Sequence, residues 1–308
     1  MSTNAIQSSH IYSTYFAPRG RSRIYTLGMQ IAQLYLSPFD QIIGFIGEAG
    51  SGKSVLIKGM FPGIELTNDD DGVNVRPLPL LEQEYETGFF TPHTYHLDIR
   101  FETGFHQLSE LADAVRLAVR RGKRIIIEHF DLIYPLLGVN ANLLIGVGEQ
   151  IVITRPNLFG PLPQELCDIV YPSLAYRLMA HSAEDLCEYA MTQEQTLACS
   201  HGDIRHGFVL EFNEHQPDID IPTLEARVNE LIRQDLPIDY YDESHILLGG
   251  AQHYCTGPRT HVRSTGRIIG FRLLDHFIYD HFHKTYMLVG CVGDDSEENI
   301  RKLETIHG

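Results

Sequence analysis

Residues 41–54 read Gln-Ile-Ile-Gly-Phe-Ile-Gly-Glu-Ala-Gly-Ser-Gly-Lys-Ser. The apolar run Ile42 to Ile46 has the length and continuity of a buried strand. Behind it, Gly47, Glu48, Ala49, Gly50, Ser51, Gly52, Lys53 and Ser54 fit the pattern G-x4-G-K-S. In such a loop the glycines bend backbone N–H groups around phosphate oxygens, the lysine supplies a point charge toward the outer phosphates, and the serine offers a hydroxyl to Mg²⁺. A helix beginning near Ser54 adds its positive end. Strand, loop and helix stand in the order that phosphate binding needs, so ATP with Mg²⁺ is the expected ligand. The competing reading is a glycine-rich turn that happens to carry a lysine.

On the N-terminal side, Ile24, Leu27, Ile31 and Leu34 have helical spacing, ended by Ser37-Pro38. On the C-terminal side, residues 62 to 92 are rich in Pro, Gly and Asp and read as irregular. A short strand follows at His93 to Ile99, a helix at Leu108 to Val119, a buried strand at Arg124 to Glu128, and a last strand at Gln150 to Thr154. Alternating strands and helices predict a three-layer α/β domain with a mainly parallel sheet over residues 1–165. The Pro-rich stretch Arg155 to Pro163 marks its end. Over residues 166–308 the alternation is lost. Leu174 to Ala190 reads as a helix, Gly207 to Phe212 as a strand, and Ile221 to Gln234 as a helix with Pro222 in its first turn. An α+β domain with an antiparallel sheet is expected there.

A magnesium-nucleotide site also needs a carboxylate at the end of a neighbouring strand. Asp98 and Glu128 are the candidates, for holding the ion or orienting an attacking water. Asp131 is a weaker one, and each acid could instead be a solvated strand end or a helix cap. Residues 26 to 131 resemble the TsaE ATPases, which assist threonylcarbamoyladenosine modification of tRNA. The resemblance is carried by Thr26-Leu-Gly28 with Ile31-Ala32, Gly44 to Ser54, Lys58-Gly59, Pro77, Glu84-Tyr-Glu-x-Gly88, Tyr95 to Arg100 and Ile127-Glu128. It implies a P-loop NTPase fold, phosphate and magnesium at Lys53 and Ser54, Asp98 in the metal shell, and Glu128 at the nucleotide. Two departures stand out. Leu78 follows Pro77 where the family carries a switch threonine, and His129 follows Glu128 where a tryptophan is usual. Slow or differently triggered hydrolysis is the expectation.

A second chemistry-bearing stretch runs from His253 to Leu273. Cys255 and His261 flank a Gly-Pro turn that allows a thiolate and an imidazole to converge on Zn²⁺. His181 and Asp185, four apart on the expected helix, share a face and can supply two more ligands. His201, His206 and His253 are alternatives for the remaining position. This half resembles the editing domain of alanyl-tRNA synthetases, including the second additional domain shared with threonyl-tRNA synthetases. The residues that carry the resemblance are His181-Ser-Ala-x-Asp-Leu186, Leu224 to Ile232, Leu236-Pro-Ile238, Cys255, Thr260-His-Val-x-x-Thr-Gly-x-Ile268 and Phe271-Arg-Leu273. It implies a zinc-holding module that hydrolyses mischarged tRNA. Asp185 stands where the family has a second helix histidine, and Cys255-x5-His261 is two residues longer than the family's C-x3-H. Thr260, Thr265 and Arg259 are candidate substrate contacts.

The formal charge of −16, from 40 acidic and 24 basic residues, excludes broad electrostatic capture of nucleic acid. Contact with tRNA or aminoacyl-tRNA is therefore expected to be local, through arginines such as Arg259, Arg263, Arg267 and Arg272. No apolar run suggests a membrane span, and neither a secretory signal nor a disulfide framework is evident, so a cytoplasmic location is expected. The leading expectation is a slow Mg²⁺-dependent ATPase coupled to a zinc-binding domain that recognises or deacylates aminoacyl-tRNA. Two alternatives remain: a non-catalytic sensor that reports amino acid or tRNA state to a protein partner, and a small-molecule kinase using residues 62 to 92.

Overall fold

The computed structural model describes residues 12–67, 78–82, 93–213 and 215–307. Pro77, Glu84 to Gly88 and the acidic stretch 68–72 lie outside these residues. The chain divides into two compact units, one of residues 1–17 and 21–172, the other of residues 18–20 and 173–308.

The first unit is built on a six-stranded sheet. Its strands are β1 (Tyr12–Phe16), β2 (Ile42–Ile46), β3 (Thr94–Asp98), β4 (Arg124–Glu128), β5 (Leu143–Val147) and β6 (Gln150–Thr154), in the spatial order β1-β6-β5-β2-β4-β3. β2 runs parallel to β4 and β5, and β3 parallel to β4, while β6 pairs antiparallel with β5 and β1. Successive strand residues point to opposite faces, and the core splits accordingly. Ile43 and Phe45 pack with Ile24, Ile31, Leu56 and Ile57 of α1 (Arg21–Tyr35) and α2 (Lys53–Met60). Ile42 and Ile46 face the other way, toward Leu111 and Val115 of α5 (Leu108–Arg120) and Phe130 and Ile133 of α6 (Phe130–Leu137). Helices thus cover both faces. Two short helices, α3 (Pro79–Glu82) and α4 (Ile99–Glu102), flank β3.

Helices α1 and α2 approach closely through glycines. A Cβ on Gly59 would lie 2.2 Å from the Tyr25 carbonyl oxygen, and one on Gly28 would lie 2.5 Å from that of Leu56. Side chains at either position would push apart the helix that carries Lys53.

Two strands lie outside the sequence pattern. β1 has half-exposed residues throughout, the profile of an edge strand with no apolar signature. β5 and β6 are joined through Gly148-Glu149, where the Gly148 amide donates to the Gln150 carbonyl, and only the second of the two was expected as a strand. Helix α7 (Pro163–Ala190) begins well before the expected Leu174 and continues through Pro172, at the division between the units.

The second unit contains the latter part of α7, α8 (Gln193–Ala198), the hairpin β7 (Cys199–Ile204) and β8 (Gly207–Asn213), and α9 (Ile221–Arg233). A three-stranded meander follows, β9 (Ile238–Asp242), β10 (His245–Leu248) and β11 (Ala251–Tyr254). Strands β12 (Arg272–Leu273), β13 (Ile278–Asp280) and β14 (Thr285–Cys291) precede α10 (Ser296–His307). β14 pairs with β8, β12 and β13, and all the strand pairings here are antiparallel. Ala180, Ala183 and Leu186 of α7 pack with Phe208, Leu210, Leu224 and Val228 in the core. Among the described residues, no helix is long and apolar enough to cross a membrane.

Candidate functional site

In the first unit, loop 47–52 connects β2 to α2. Gly50 and Gly52 adopt left-handed backbone angles, φ 80° and 87°, which side chains disfavour. Glu48 and Ala49 sit toward the exposed side of the loop, and Ser51 is buried. Lys53 opens α2 yet is 5% exposed, because its Nζ folds back to donate to the carbonyls of Gly47 and Glu48, both at 2.9 Å. Burial lowers its pKa, against the pull of Glu128 and Asp98. Ser54 Oγ donates to Glu128 Oε1 at 3.2 Å, and Lys53 Nζ lies 3.8 Å from Glu128 Oε2.

Glu128 and Asp98 are register partners at the carboxyl ends of parallel strands, the location where open α/β sheets bind ligands. Glu128 is buried, which alone would raise its pKa. A hydrogen bond from His96 and the charge of Lys53 outweigh burial and hold it ionised, with its pKa lowered. Asp98 Oδ1 accepts from the Phe101 amide at 3.1 Å and so caps α4, while its charge also faces Lys53. Asp131 accepts a hydrogen bond from the Tyr171 hydroxyl at 3.3 Å. Hard oxygens from Ser54 and Glu128 beside a buried lysine suit magnesium bound with phosphates.

Sequence reasoning assigned no role to His96 or Thr67. The Thr67 amide donates to His96 Nδ1 at 3.1 Å, which leaves Nε2 to carry the proton that it donates to Glu128 Oε1 at 3.1 Å. The Asp98 amide approaches Thr67 Oγ1 at 3.4 Å. His96 was legible from strand periodicity, since it shares a face with Asp98 two residues on; Thr67 had no such signal. Leu78 is buried among apolar side chains, and His129 sits in left-handed backbone at φ 56° before α6. Beside this constellation lies a hollow of about 560 Å³, lined among others by Phe61, Ile64, Glu65, Thr67, Tyr95 and His96.

In the second unit, His181, Asp185, Cys255 and His261 converge, with one ligand atom of each within 4.8 Å of the others. Cys255 Sγ is 3.4 Å from His181 Nε2 and 3.2 Å from His261 Nε2. Asp185 lies 3.8 Å from the first imidazole and 3.5 Å from the second. Neither contact is an ion pair, because burial lowers the pKa of both histidines, that of His261 to about 3. His181 Nδ1 donates to the Thr260 carbonyl at 3.0 Å, fixing the tautomer with Nε2 bare and directed at the thiol. Burial and the charges of Glu184 and Glu188 push the Asp185 carboxyl up, and burial with Asp185 pushes the Cys255 thiol up. A divalent cation reverses both shifts. Asp185 Oδ2 is buried with no hydrogen bond, and the Gly257 amide points at the sulfur from 3.2 Å. Two neutral imidazoles, a thiol and an orphaned carboxylate fit Zn²⁺.

Other expected contacts fall elsewhere. The Thr265 hydroxyl donates to the Leu231 carbonyl and accepts from the Leu236 amide, a structural role in place of the suggested substrate contact. Arg259, Arg263, Arg267 and Arg272 are all exposed; Arg259 lies over the Tyr240 ring and 3.8 Å from Glu243, and Arg272 meets Glu225 and Glu297. His206 stacks on Tyr176 and pairs with Asp295; His201 pairs with Glu184 and Glu188. His281 and His283 are exposed.

No protein-family model and no curated protein matches the chain. Among solved structures, it is similar to an aminotransferase from Eubacterium rectale, with 13% identity over 74% of this chain and 67% of that one. The TM-score of 0.23 is too low for that likeness to bear on fold or function.

Proposed function

We propose that the first unit is a P-loop NTPase domain binding ATP with Mg²⁺, and that the second is an editing-type domain that recognises or deacylates aminoacyl-tRNA. The observation that supports this reading best is the convergence of Lys53 and Ser54 on Glu128 at the carboxyl end of parallel strands. Gly47 to Gly52 would cradle the phosphates with backbone amides, Lys53 would exchange its loop carbonyls for phosphate oxygens, and Ser54 with Glu128 would hold the magnesium shell. His96 keeps Glu128 oriented and ionised, as a residue that positions water must be. In the second unit, His181, Cys255, His261 and Asp185 would hold zinc, which when bound shapes and polarises a pocket for an ester carbonyl. The surrounding residues keep the two imidazoles neutral and correctly turned. The proposed site of action is the cytoplasm, where the five cysteines, none of them in a disulfide, remain thiols.

Radiolabelled ATP turnover with and without charged tRNA tests the reading. Phosphate release that is lost in Lys53→Ala, with ester loss that is lost in Cys255→Ala, is the expected result. A phosphorylated small molecule instead of free phosphate would support a kinase, which the hollow beside His96 favours. ATP binding without either turnover would support a sensor acting through a protein partner.

A further inference from the structure

The cluster around Cys255 does not account for all the ligand chemistry on this face of α7. Glu188 lies three residues beyond Asp185, on the same side of the helix. Strand β11 brings His253 to this pair, so that one ligand atom each of Asp185, Glu188 and His253 lies within 4.8 Å of the other two. Two of these groups carry a buried ligand atom without a hydrogen bond. Asp185 is 6% exposed and its Oδ2, 3.5 Å from His261 Nε2, is buried without a hydrogen bond, and the buried Nε2 of His253 also has none. The His253 ring is held edge-on by Tyr189 of the same helix, with centroids 6.0 Å apart. Glu184, Asp185 and Glu188 place three carboxylates within about one turn. Arg19 and His201 face Glu184, and His201 also faces Glu188. Asp185 takes part in neither contact; its oxygens lie 3.8 Å from His181 and 3.5 Å from His261, so a second ion beside it would share the carboxylate.

We propose that Asp185, Glu188 and His253 form a second divalent-cation site that shares Asp185 with the His181, Cys255 and His261 site. Unit 2 then holds two ions joined by one carboxylate. This rests on the reading of the Cys255 cluster as a metal site. Two carboxylates and an imidazole, with no thiolate, suit Zn²⁺ or Mn²⁺ and distinguish the second ion from the first by ligand softness. Such pairs lie about 3.5–4 Å apart and place two cations around the oxygens of one displacement, which suits hydrolysis of an ester.

The test uses the full chain, stripped of metal and dialysed against Zn²⁺ without nucleotide, with bound metal measured by mass spectrometry. About two ions per chain are expected, falling to about one in Glu188→Gln and in His253→Ala and unchanged in His201→Gln. Substitution with Co²⁺ separates the two sites. The thiolate charge-transfer band should saturate with the first equivalent, and the second should add only weak visible bands. One ion per chain with the thiolate band, unaffected by changes at Glu188 and His253, would overturn the second site and leave the first standing. No bound metal in the unaltered protein would overturn both, and that count does not depend on whether any variant folds.

Discussion

At the scale of single residues, the histidines of the Cys255 cluster carry a pH dependence whose sign follows from their environment. Burial lowers the His261 pKa to about 3 and that of His181 well below the ordinary 6.5. Above pH 6.5 both imidazoles are neutral whether folded or unfolded, and their titration contributes nothing. Between pH 6.5 and about 3 the unfolded chain binds protons that the folded one refuses, so stability falls with pH, by up to about 1.4 kcal/mol per pH unit for each histidine. Asp185 and Glu188, with raised pKa values, act in the opposite sense. His261→Gln in the metal-free protein is therefore the informative comparison. Its urea midpoint should fall less between pH 7 and pH 5 than that of the unaltered chain, and parallel slopes would refute the assignment. The four residues that converge here were legible in the sequence because His181 and Asp185 obey helical spacing and a Gly-Pro turn follows Cys255. The tautomer of His181 was not, since it depends on a carbonyl 79 positions away.

At the scale of elements, the loop 47–52 is held by packing as much as by its own residues. Gly59 of α2 lies against the Tyr25 carbonyl of α1, and a methyl group there meets backbone, which cannot swing aside. Gly59→Ala should destabilise the first unit by about 1–3 kcal/mol through overpacking and should weaken binding of an ATP analogue although it touches no ligand. Thermal melting with calorimetric titration checks this, and an unchanged melting temperature would remove the argument. Periodicity was sufficient for β2, β4 and β6, whose bounds match the apolar runs. It failed for β1, because an edge strand buries no continuous face; β5 does carry an apolar run, Leu143 to Val147, set off from the apolar run of β6 by Gly148-Glu149-Gln150.

At the scale of the whole molecule, the second unit is discontinuous in sequence. Residues 18–20 belong to it, and the Arg19 guanidinium reaches Glu184 at 3.1 Å, Asp203 at 3.0 Å and the Gly202 carbonyl at 2.8 Å. Arg19 and Glu184 are both almost fully buried. Removing one partner of such a pair leaves an uncompensated charge and costs about 3–5 kcal/mol. Arg19→Met should therefore accelerate hydrogen exchange of the β8 amides within the second unit, and native-like protection there would refute the role. The net charge of −16 acts at this scale too: of the four exposed arginines considered for tRNA contact, Arg259 and Arg272 already face the carboxylates of Glu243, Glu225 and Glu297.

The sequence by itself determined the strand, loop and helix around Lys53 and the residue types able to take phosphate or zinc, because these depend on short spacings along the backbone. Tertiary structure alone decided that His96 and Thr67 support Glu128, that Arg19 serves the second unit, and that His253 comes beside Asp185. Those relations arise from strand register and helix packing between distant segments, where the energy lies in burial and charge compensation that local periodicity does not encode.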